Sequence, residues 1–599
     1  MEKMVERYNQ KRKSKTVPMV GWIAFVAVWL VVMDEATVLA FSAVAPLKSP
    51  KVTESTRTPL SDAEAKLRRE EQERIGKANH NNFVFNALFE PVEERPEPAP
   101  CSIPGDIEAL YGSRCKSELP TDFPNGALMR IGPNSFELGE GFLDGDGMIH
   151  CITFPPAGQI PMYSATYVQT EGRETEEKLA TDTSKPKYRG TLGGAPNGYP
   201  LLGSLVQNGL TFRTFRVQKD TCNTAIGESG GRLLALMEQG LPSEFTVSQS
   251  GRIRTVQNGA RLDGGIPNDN PLTGGSFTAH GKTCPDTNEQ ICVSYNANLP
   301  PWGRMDVFDA GWQLKRSVSV NMPSCVMLHD SAITENYDVV LDLPLTIRPE
   351  RIILKNDFPV EYEPENGARI GLVPRHGQSK DTMWFDVDVA VVLHTVNPFE
   401  KDGKVVLHGH KSIPNTESSY ILSYTPAFLY EWELDLETRK VNERWLNSDT
   451  MVEFPSVTDD RVGKEAPHCY AMHVNTIGGP LKRHNTPREG ITFFGYVKQA
   501  LVDTDEYQKG DVIGKYHLPA DWYPVSEPTV VTNDGKEYVL GIATHATEES
   551  DRQLRSHVFV LDGDDMDAGP VSAFELPHCV PYGLNSHFTP WSTLKEDNV

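Results

Sequence analysis

Short apolar segments bounded by turn-forming residues dominate the chain from about residue 120 to its end. The segments are rich in β-branched and aromatic residues, and Gly, Pro, Asn or Asp flank them, which is typical of β-strands. Examples are 126–132, 147–154, 231–238, 289–296, 338–345, 387–394, 404–412, 490–497, 536–543 and 556–563. Long amphipathic helical patterns are scarce, so the pattern predicts an all-β fold: a sandwich, a barrel or a propeller. The length of 599 residues favours the propeller, although the chain has no WD or kelch-like repeat.

The composition and net charge of the chain indicate which kinds of partner to expect. The chain is 39% hydrophobic and 23% charged, which is the balance of a globular protein. Its formal net charge of −23, with no basic stripe to offset it, opposes contact with a phosphate backbone. We therefore expect no nucleic-acid partner. The nine cysteines are odd in number and include no Cys-x-x-Cys pair, which favours a reducing compartment over a disulfide framework.

The N-terminus has the pattern of a targeting segment. Four basic residues between positions 11 and 15 precede an apolar run at 17–33, as in a signal peptide or a signal anchor. The run is near the lower limit for spanning a bilayer. Val38 and Ala40 suit the −3 and −1 positions of a signal-peptidase site. Residues 1–40 are thus predicted to be a signal peptide or a retained anchor.

The following segment, 41–81, is predicted to be transit-like and to act as a linker. The string 40–46 resembles the targeting junction of plastids of secondary red origin, where an aromatic residue such as Phe41 directly follows the cleavage point. We therefore expect a plastid location. An endomembrane anchor through 17–33 and an ordinary secretory signal are the alternatives. The folded domain is expected to span 82–599.

Three of the sixteen histidines stand out by their position in the pattern. His280, His329 and His394 each follow a strand-like apolar run and precede a turn-like segment, which places an imidazole at a strand end. Neutral imidazole suits Fe, Zn and Cu. The three residues are separated by 49 and 65 positions, so one local loop does not supply them. As metal ligands, they would have to come from separate blades that meet at a central axis.

An ordered set of motifs carries a family resemblance. It covers roughly residues 82–599, and the segments around the three histidines resemble the carotenoid cleavage oxygenase family. The motifs are LPTDFPNGALMRIGPNSF (119–136), FLDGDGMIH (142–150), NTA and LLALMEQGLP (223–242), FTAH (277–280), LHDSAIT (328–334), LVPRHG (372–377), VVLHTVN (391–397), EFPSV (453–457), SEP (526–528) and VPYGLNSHFTPW (580–591).

The resemblance implies a specific fold and metal site. The family fold is a seven-bladed β-propeller with helices and loops that cap one face over a central metal site. In the family, four histidines bind one Fe(II) per chain, and glutamates anchor three of them. By position these glutamates are Glu238, Glu453 and Glu527. Such a carboxylate holds the second ring N–H of a ligating imidazole and makes the ligand more basic.

The resemblance also implies an activity. It is the cleavage of a C=C bond of a carotenoid or apocarotenoid with O₂ as co-substrate, which gives two carbonyl products. No residue beyond the metal site receives a catalytic role. The substrate is expected to enter through an apolar tunnel, and family members reach lipid-soluble substrates by resting on a membrane surface. Residues 197–212 are a candidate patch for such contact, or else a buried strand pair.

The chain departs from the family at the fourth ligand. Alignment without gaps puts Asn585 at the ligand position, and His587 follows two residues later. Asn585 could stand there as a poor ligand, with a water in the place of the imidazole. Alternatively His587 takes over, because residues i and i+2 face the same side of a strand. In the third reading iron is lost and the protein is a non-catalytic carotenoid binder. The retinoid isomerase chemistry of one animal branch has no specific motif here.

Overall fold

The computed structural model describes residues 96–597 with several gaps. The gaps are 135–144, 157, 181–219, 258–276, 298–299, 349–350, 352–359, 413–426, 476–491, 547–553 and 584. Three predictions fall on residues outside this set: the signal segment 1–40, the linker 41–81 and the candidate membrane patch 197–212. They stay predictions.

Seven antiparallel sheets follow one another along the chain. The first begins with β1 (Ala99–Pro100), β2 (Gly126–Asn134), β3 (Asp146–Phe154) and β4 (Met162–Tyr167). The second comprises β5 (Ala225–Ser229), β6 (Arg232–Leu236), β7 (Ser243–Val247) and β8 (Ile253–Gln257). The third comprises β9 (Lys282–Thr283), β10 (Gln290–Tyr295), β11 (Gly303–Phe308) and β12 (Leu314–Val320).

The fourth sheet holds an inserted hairpin, and the fifth is regular. The fourth comprises β13 (Ala332–Ile333), β14 (Tyr337–Asp342), β17 (Ala368–Pro374) and β18 (Met383–Val387), and the hairpin is β15 (Leu345–Ile347) with β16 (Val360–Tyr362). The fifth comprises β19 (Val391–Lys401), β20 (Lys404–Ser412), β21 (Ala427–Asp435) and β22 (Val441–Trp445).

The last two sheets and one final strand complete the ring. The sixth sheet comprises β23 (Val452–Ser456), β24 (His468–Asn475), β25 (Thr492–Ala500) and β26 (Val512–His517). The seventh comprises β27 (Trp522–Pro524), β28 (Thr529–Asn533), β29 (Lys536–His545), β30 (Arg555–Asp562) and β31 (Pro570–Glu575). The final strand, β32 (Ser586–Pro590), pairs with β2 of the first sheet. The prediction of a seven-bladed β-propeller is therefore confirmed.

Helices are few among the described residues. They are α1 (Ile107–Tyr111), α2 (Glu171–Ala180) and short 3₁₀ turns at Pro364–Asn366, Ser379–Asp381, Asp459–Arg461, Met566–Ala568 and Trp591–Thr593. In this part of the chain, no helix combines the length and the apolar composition that crossing a bilayer requires.

The first strand of most blades lines the propeller axis. Neighbouring blades meet through these strands: β2 with β5, β13 with β19, β19 with β23, and β28 with β32. The inner strands of a propeller are arranged radially around one channel. Residues at the same end of successive inner strands therefore approach each other, however far apart they lie in the sequence.

Candidate metal centre

Successive blades each bring one polar side chain to the same end of the axis. His280 comes just before β9, His329 just before β13, and His394 lies near the start of β19. Each is thus at the beginning of its blade's axial strand, as expected from the apolar run and turn that flank it. The structure brings these three predicted ligands together.

The three imidazoles form a compact cluster. The ring centroids of His280 and His329 are 4.5 Å apart, and the ring of His394 lies 5.1 Å from each of the other two. One nitrogen from each ring lies within 4.8 Å of the others. Nε2 of His329 and Nε2 of His394 are 3.4 Å apart. These nitrogens are placed to bind one metal ion from one side.

Two carboxylates, one half-buried (Glu238) and one buried (Glu453), fix the outward nitrogens of the cluster. Nδ1–H of His329 donates to Oε2 of Glu238 at 2.6 Å, and Nδ1–H of His394 donates to Oε2 of Glu453 at 2.7 Å. Tyr295 donates its hydroxyl to Glu238 as well. Because Nδ1 carries the proton in each ring, the Nε2 lone pair is left for the metal.

The pKa values of these carboxylates reflect their partners. Burial alone would raise the pKa of Glu238 and Glu453, but the charge of the facing histidine and its hydrogen bond outweigh burial, so both values are lowered. Each carboxylate is therefore ionised at neutral pH. A negative charge on the far side of an imidazole strengthens that imidazole as a donor to a cation.

His280 differs because no carboxylate anchors it. Its Nε2 is buried and has no hydrogen-bond partner among the described residues. Burial, followed by the charges of His329 and His394, lowers its pKa well below the ordinary value. A buried, neutral nitrogen without a partner is costly unless something binds it. A divalent cation at the centre of the cluster would satisfy it, so the residues present fit the iron that the family resemblance implies.

A cavity of about 180 Å³ opens beside His280 and His394. Part of its wall is apolar, from Ala225, Ile226, Ala279, Phe454 and Pro455. The polar part includes Lys282, Asp330, Glu527 and Asn585. Besides the histidines, Phe454 is the one aromatic residue among the described lining residues. The cavity is thus mostly polar near the metal cluster, with an apolar edge at Phe454 and Pro455.

Two features of this wall were not predicted from the sequence. Lys282 pairs with Asp330, Nζ to Oδ1 at 2.8 Å, and Thr395 donates both its N–H and its hydroxyl to the same carboxylate. Lys282 and Asp330 stand within two residues of His280 and His329, so proximity to the ligands was the available signal. Phe454 has a φ of 54°, rare for an aromatic residue, and its ring lies 4.9 Å from that of His394.

Glu527 differs from the other two predicted glutamates because no imidazole of the described residues bonds it. Its Oε1 accepts the backbone N–H of Ser586 at 2.8 Å. Burial raises its pKa to about 8, only partly opposed by the Ser586 N–H and the charge of Lys282. The reason is at Asn585, whose Nδ2 donates to the carbonyl oxygen of Thr224 at 2.7 Å. The shorter amide therefore leaves Glu527 without the partner that Glu238 and Glu453 have.

His587 lies outside the three-histidine cluster. Its Nε2 is 2.9 Å from Oε2 of Glu228 in β5, and Thr589 and Thr593 also donate to this carboxylate. Burial would raise the pKa of Glu228, but the contacts from His587 lower it. The prediction of His587 as a fourth ligand is corrected. Its side chain bonds Glu228 instead, because the neighbouring strand β5 offers it a carboxylate.

The comparisons with known proteins agree with this fold. The retinal pigment epithelial membrane protein family model matches residues 104–590. The chain is 29% identical to a carotenoid 9,10(9',10')-cleavage dioxygenase of Phaseolus vulgaris, covering 80% of this chain and 87% of the relative. It is 27% identical to the apocarotenoid-15,15'-oxygenase of Synechocystis, covering 80% and 92% respectively. The crystal structure of the Pseudomonas brassicacearum lignostilbene dioxygenase superposes with a TM-score of 0.66 at 22% identity, covering 85% of this chain and 99% of that one. The chain therefore belongs to the retinal pigment epithelial membrane protein family, which is the family of the carotenoid cleavage oxygenases.

Proposed function

We propose that the protein is a non-haem Fe(II) dioxygenase that cleaves one C=C bond of a carotenoid or apocarotenoid. The single observation that carries the proposal is the cluster of His280, His329 and His394, with two of the rings anchored by ionised carboxylates. The names of the relatives from Phaseolus vulgaris and Synechocystis support the choice of substrate class.

The proposed reaction balances without an external reductant. One C=C bond and the O–O bond break, two C=O bonds form, and both oxygen atoms end in the products. Iron, when bound, would activate O₂ for its reaction with the polyene. The reaction transfers no proton, so it requires no general acid or base.

The residues of the chain would bind the metal, orient the substrate and exclude water. His280, His329 and His394 would hold the metal, while Glu238 and Glu453 keep two of these rings in place. The apolar residues around Phe454 would contact the part of a polyene that lies next to the metal. Asp330 pairs with Lys282, so this ammonium group does not meet the hydrocarbon unpaired.

Product labelling with ¹⁸O₂ tests the proposal. The full chain is loaded anaerobically with Fe(II), then given a panel of carotenoids and apocarotenoids under ¹⁸O₂, and the aldehydes are reduced at once to prevent exchange with water. We expect one ¹⁸O atom in each of the two products, and none with the His394→Ala variant. Iron-loaded protein that turns over no polyene in the panel would refute the proposal.

A second candidate function is carotenoid binding without catalysis, and Asn585 favours it, because the fourth ligand of the family pattern is missing. Protein that purifies with a bound pigment and no metal would support this alternative. Tightly held iron at about one atom per chain would exclude it. The two functions are thus separated by metal content before any substrate is tried.

Residues 1–81 are proposed to direct import into a plastid, on the strength of the junction at 40–46. A fusion of residues 1–81 to a fluorescent protein, expressed in an alga with a plastid of secondary red origin, tests this. We expect fluorescence inside the plastid and its loss in Phe41→Ala. Retention of the fusion in the endomembranes would favour an anchor through 17–33.

A further inference from the structure

The side of the cavity next to Asn585 contains two polar groups that face no imidazole. Asn585 and Glu527 line the same cavity as His280 and His394. In the four-histidine pattern that the resemblance implies, a ligand imidazole would fill this place and donate to the carboxylate at position 527. Here both side chains line the cavity and no imidazole of the described residues bonds either of them.

The amide of Asn585 is fixed in one orientation. Its Nδ2 donates to the carbonyl oxygen of Thr224, and its own backbone carbonyl accepts the N–H of Ile131 at 3.1 Å. A carbonyl partner identifies the nitrogen side of the amide without ambiguity, since only N–H donates to it. The Oδ1 atom consequently lies on the opposite side of the amide, where no donor among the described residues bonds it.

Glu527 has one oxygen engaged and one available. Oε1 accepts the N–H of Ser586, whose hydroxyl also donates to the backbone carbonyl of Glu527 at 3.3 Å. In the described part of the chain no group bonds Oε2. An amide is shorter than an imidazole by about the size of one water molecule, which occupies about 30 Å³ in the liquid. The site therefore has the room and the polar partners that an ordered water needs.

We propose that Asn585 and Glu527 form a binding subsite for one water molecule in the place of the fourth imidazole, so that the protein offers the metal three ligands instead of four. The inference rests on the proposed function, since it concerns the same metal. A water matches both groups: it donates to Oδ1 of Asn585, and it hydrogen-bonds Oε2 of Glu527.

The environment of Glu527 differs from that of the other two glutamates. Burial raises the pKa of this carboxyl to about 8, and its Oε1 accepts the N–H of Ser586 instead of bonding an imidazole. Glu238 and Glu453, whose pKa values are lowered, are ionised and bond imidazoles. The three glutamates therefore differ in what they bind, although the family pattern gives them one role.

A double-mutant cycle on metal affinity tests the subsite. The dissociation constant for Fe(II), and for Co(II) as an air-stable probe, is measured by competition with a chromogenic chelator. The full chain is compared with Glu527→Gln, Asn585→His and the double variant. Glu453→Gln, alone and with Asn585→His, is the matched control: it makes the same chemical change at a glutamate that does bond a ligand.

We expect the effect of Glu527→Gln to depend on residue 585. With Asn585 present, it should weaken metal binding by less than about threefold. With Asn585→His, it should weaken binding about 10- to 100-fold, because the carboxylate then anchors an imidazole. Glu453→Gln should weaken binding about 10- to 100-fold in both backgrounds. X-ray absorption should count three imidazoles in the unmodified protein and four in Asn585→His.

Two results would overturn the inference and leave the proposed function intact. One is a tenfold or larger loss from Glu527→Gln with Asn585 present, which would mean that Glu527 already contacts the metal or one of its ligands. The other is a fourth imidazole on the metal in the unmodified protein. If neither the unmodified protein nor Asn585→His binds Fe(II) or Co(II) at all, the proposed function falls together with the inference. The measurement on Glu527→Gln alone decides the matter even if Asn585→His does not fold.

Discussion

Among single residues, the hydrogen bonds from His329 to Glu238 and from His394 to Glu453 determine how strongly these two imidazoles bind a metal ion. Glu453→Gln and Glu238→Gln keep an acceptor oxygen but remove the charge behind the imidazole. Each should weaken Fe(II) binding about 10- to 100-fold, as measured by chelator competition. Glu437→Gln, at an exposed turn, is the control and should leave the affinity unchanged. Equal affinities in all four proteins would mean that these carboxylates do not act on the metal.

The buried side chain of His557 makes the stability of the fold depend on acid pH. Burial, and then the charge of Arg555, lowers the pKa of His557 to about 3, and its Nδ1 lies 2.9 Å from the hydroxyl of Tyr111. In the unfolded chain a histidine titrates near 6.5. The unfolded state therefore binds one more proton between about pH 3 and 6.5, and stability falls as the pH is lowered through that window. The contribution to the slope is about 1.4 kcal/mol per pH unit.

His557→Gln removes this titration. The free energy of unfolding in urea, measured at several values between pH 4 and 7.5, should fall less steeply towards acid pH in the variant. His376→Gln is the control, because His376 is exposed, and it should keep the original slope. An unchanged slope in His557→Gln would show that this histidine titrates normally in the folded protein.

The place of some site residues could be predicted from the sequence, whereas the partners of others could not, for a physical reason. The three histidines and the two anchored glutamates follow motifs whose position on an inner strand determines their place. His587 illustrates the limit: the alternation of a strand predicts which face a side chain lies on, but its partner depends on the adjacent blade. Glu228 is that partner, and it is 359 positions away in the sequence. The bond from Asn585 to Thr224 was unpredictable in the same way.

At the scale of elements, the Asp-Gly-Asp-Gly motif at 144–147 owes its last glycine to packing between blades. The N–H of Gly147 in β3 donates to the carbonyl of Thr221 at 2.9 Å. A Cβ at this position would lie 2.1 Å from the carbonyl oxygen of Cys222, a backbone atom that cannot rotate away. The segment ahead of β5 therefore lies directly against β3, and β5 is the strand that carries Glu228.

Gly147→Ala should separate these two elements. We expect a loss of about 1–3 kcal/mol in the free energy of unfolding, measured by urea titration. Gly105→Ala is a matched control, because a Cβ there would meet no atom within 4 Å, and it should change stability by less than about 0.5 kcal/mol. Equal stability of the two variants would contradict the close approach of β3 to the segment 221–222.

At the scale of the whole molecule, both ends of the folded chain meet in one blade. β32 pairs with β2 through partners that include Leu128 with Phe588 and Met129 with His587. This pairing closes the ring, and Asn585 at the head of β32 completes the wall of the metal cavity. A closed ring leaves no unpaired inner edge, which is the general advantage of a propeller.

Deleting residues 586–599 should therefore do more than remove one strand. We expect a lower and broader thermal transition, together with loss of Fe(II) binding, because the first blade would be open and the axial strands free to separate. Deleting only 596–599 keeps β32 and should leave the melting temperature within about 2 °C. A truncation at 586 that melts like the full chain would show that ring closure contributes little.

The fold class could be predicted from the sequence although the blades show no visible repeat. Each blade needs only short apolar strands and tight turns, so the pattern of strands is preserved while the residues differ. The number of blades came from the family resemblance, since strand spacing alone allowed a sandwich or a barrel as well. Which strand of each blade lines the axis became clear only from the contacts between blades.

The proposed binding of iron by His280, His329 and His394 can be measured first. The iron content of the purified full chain is determined by mass spectrometry after anaerobic loading and removal of loose metal. We expect about one iron atom per chain, and loss of that iron in His394→Ala. A correctly folded protein that retains no iron would contradict the proposal.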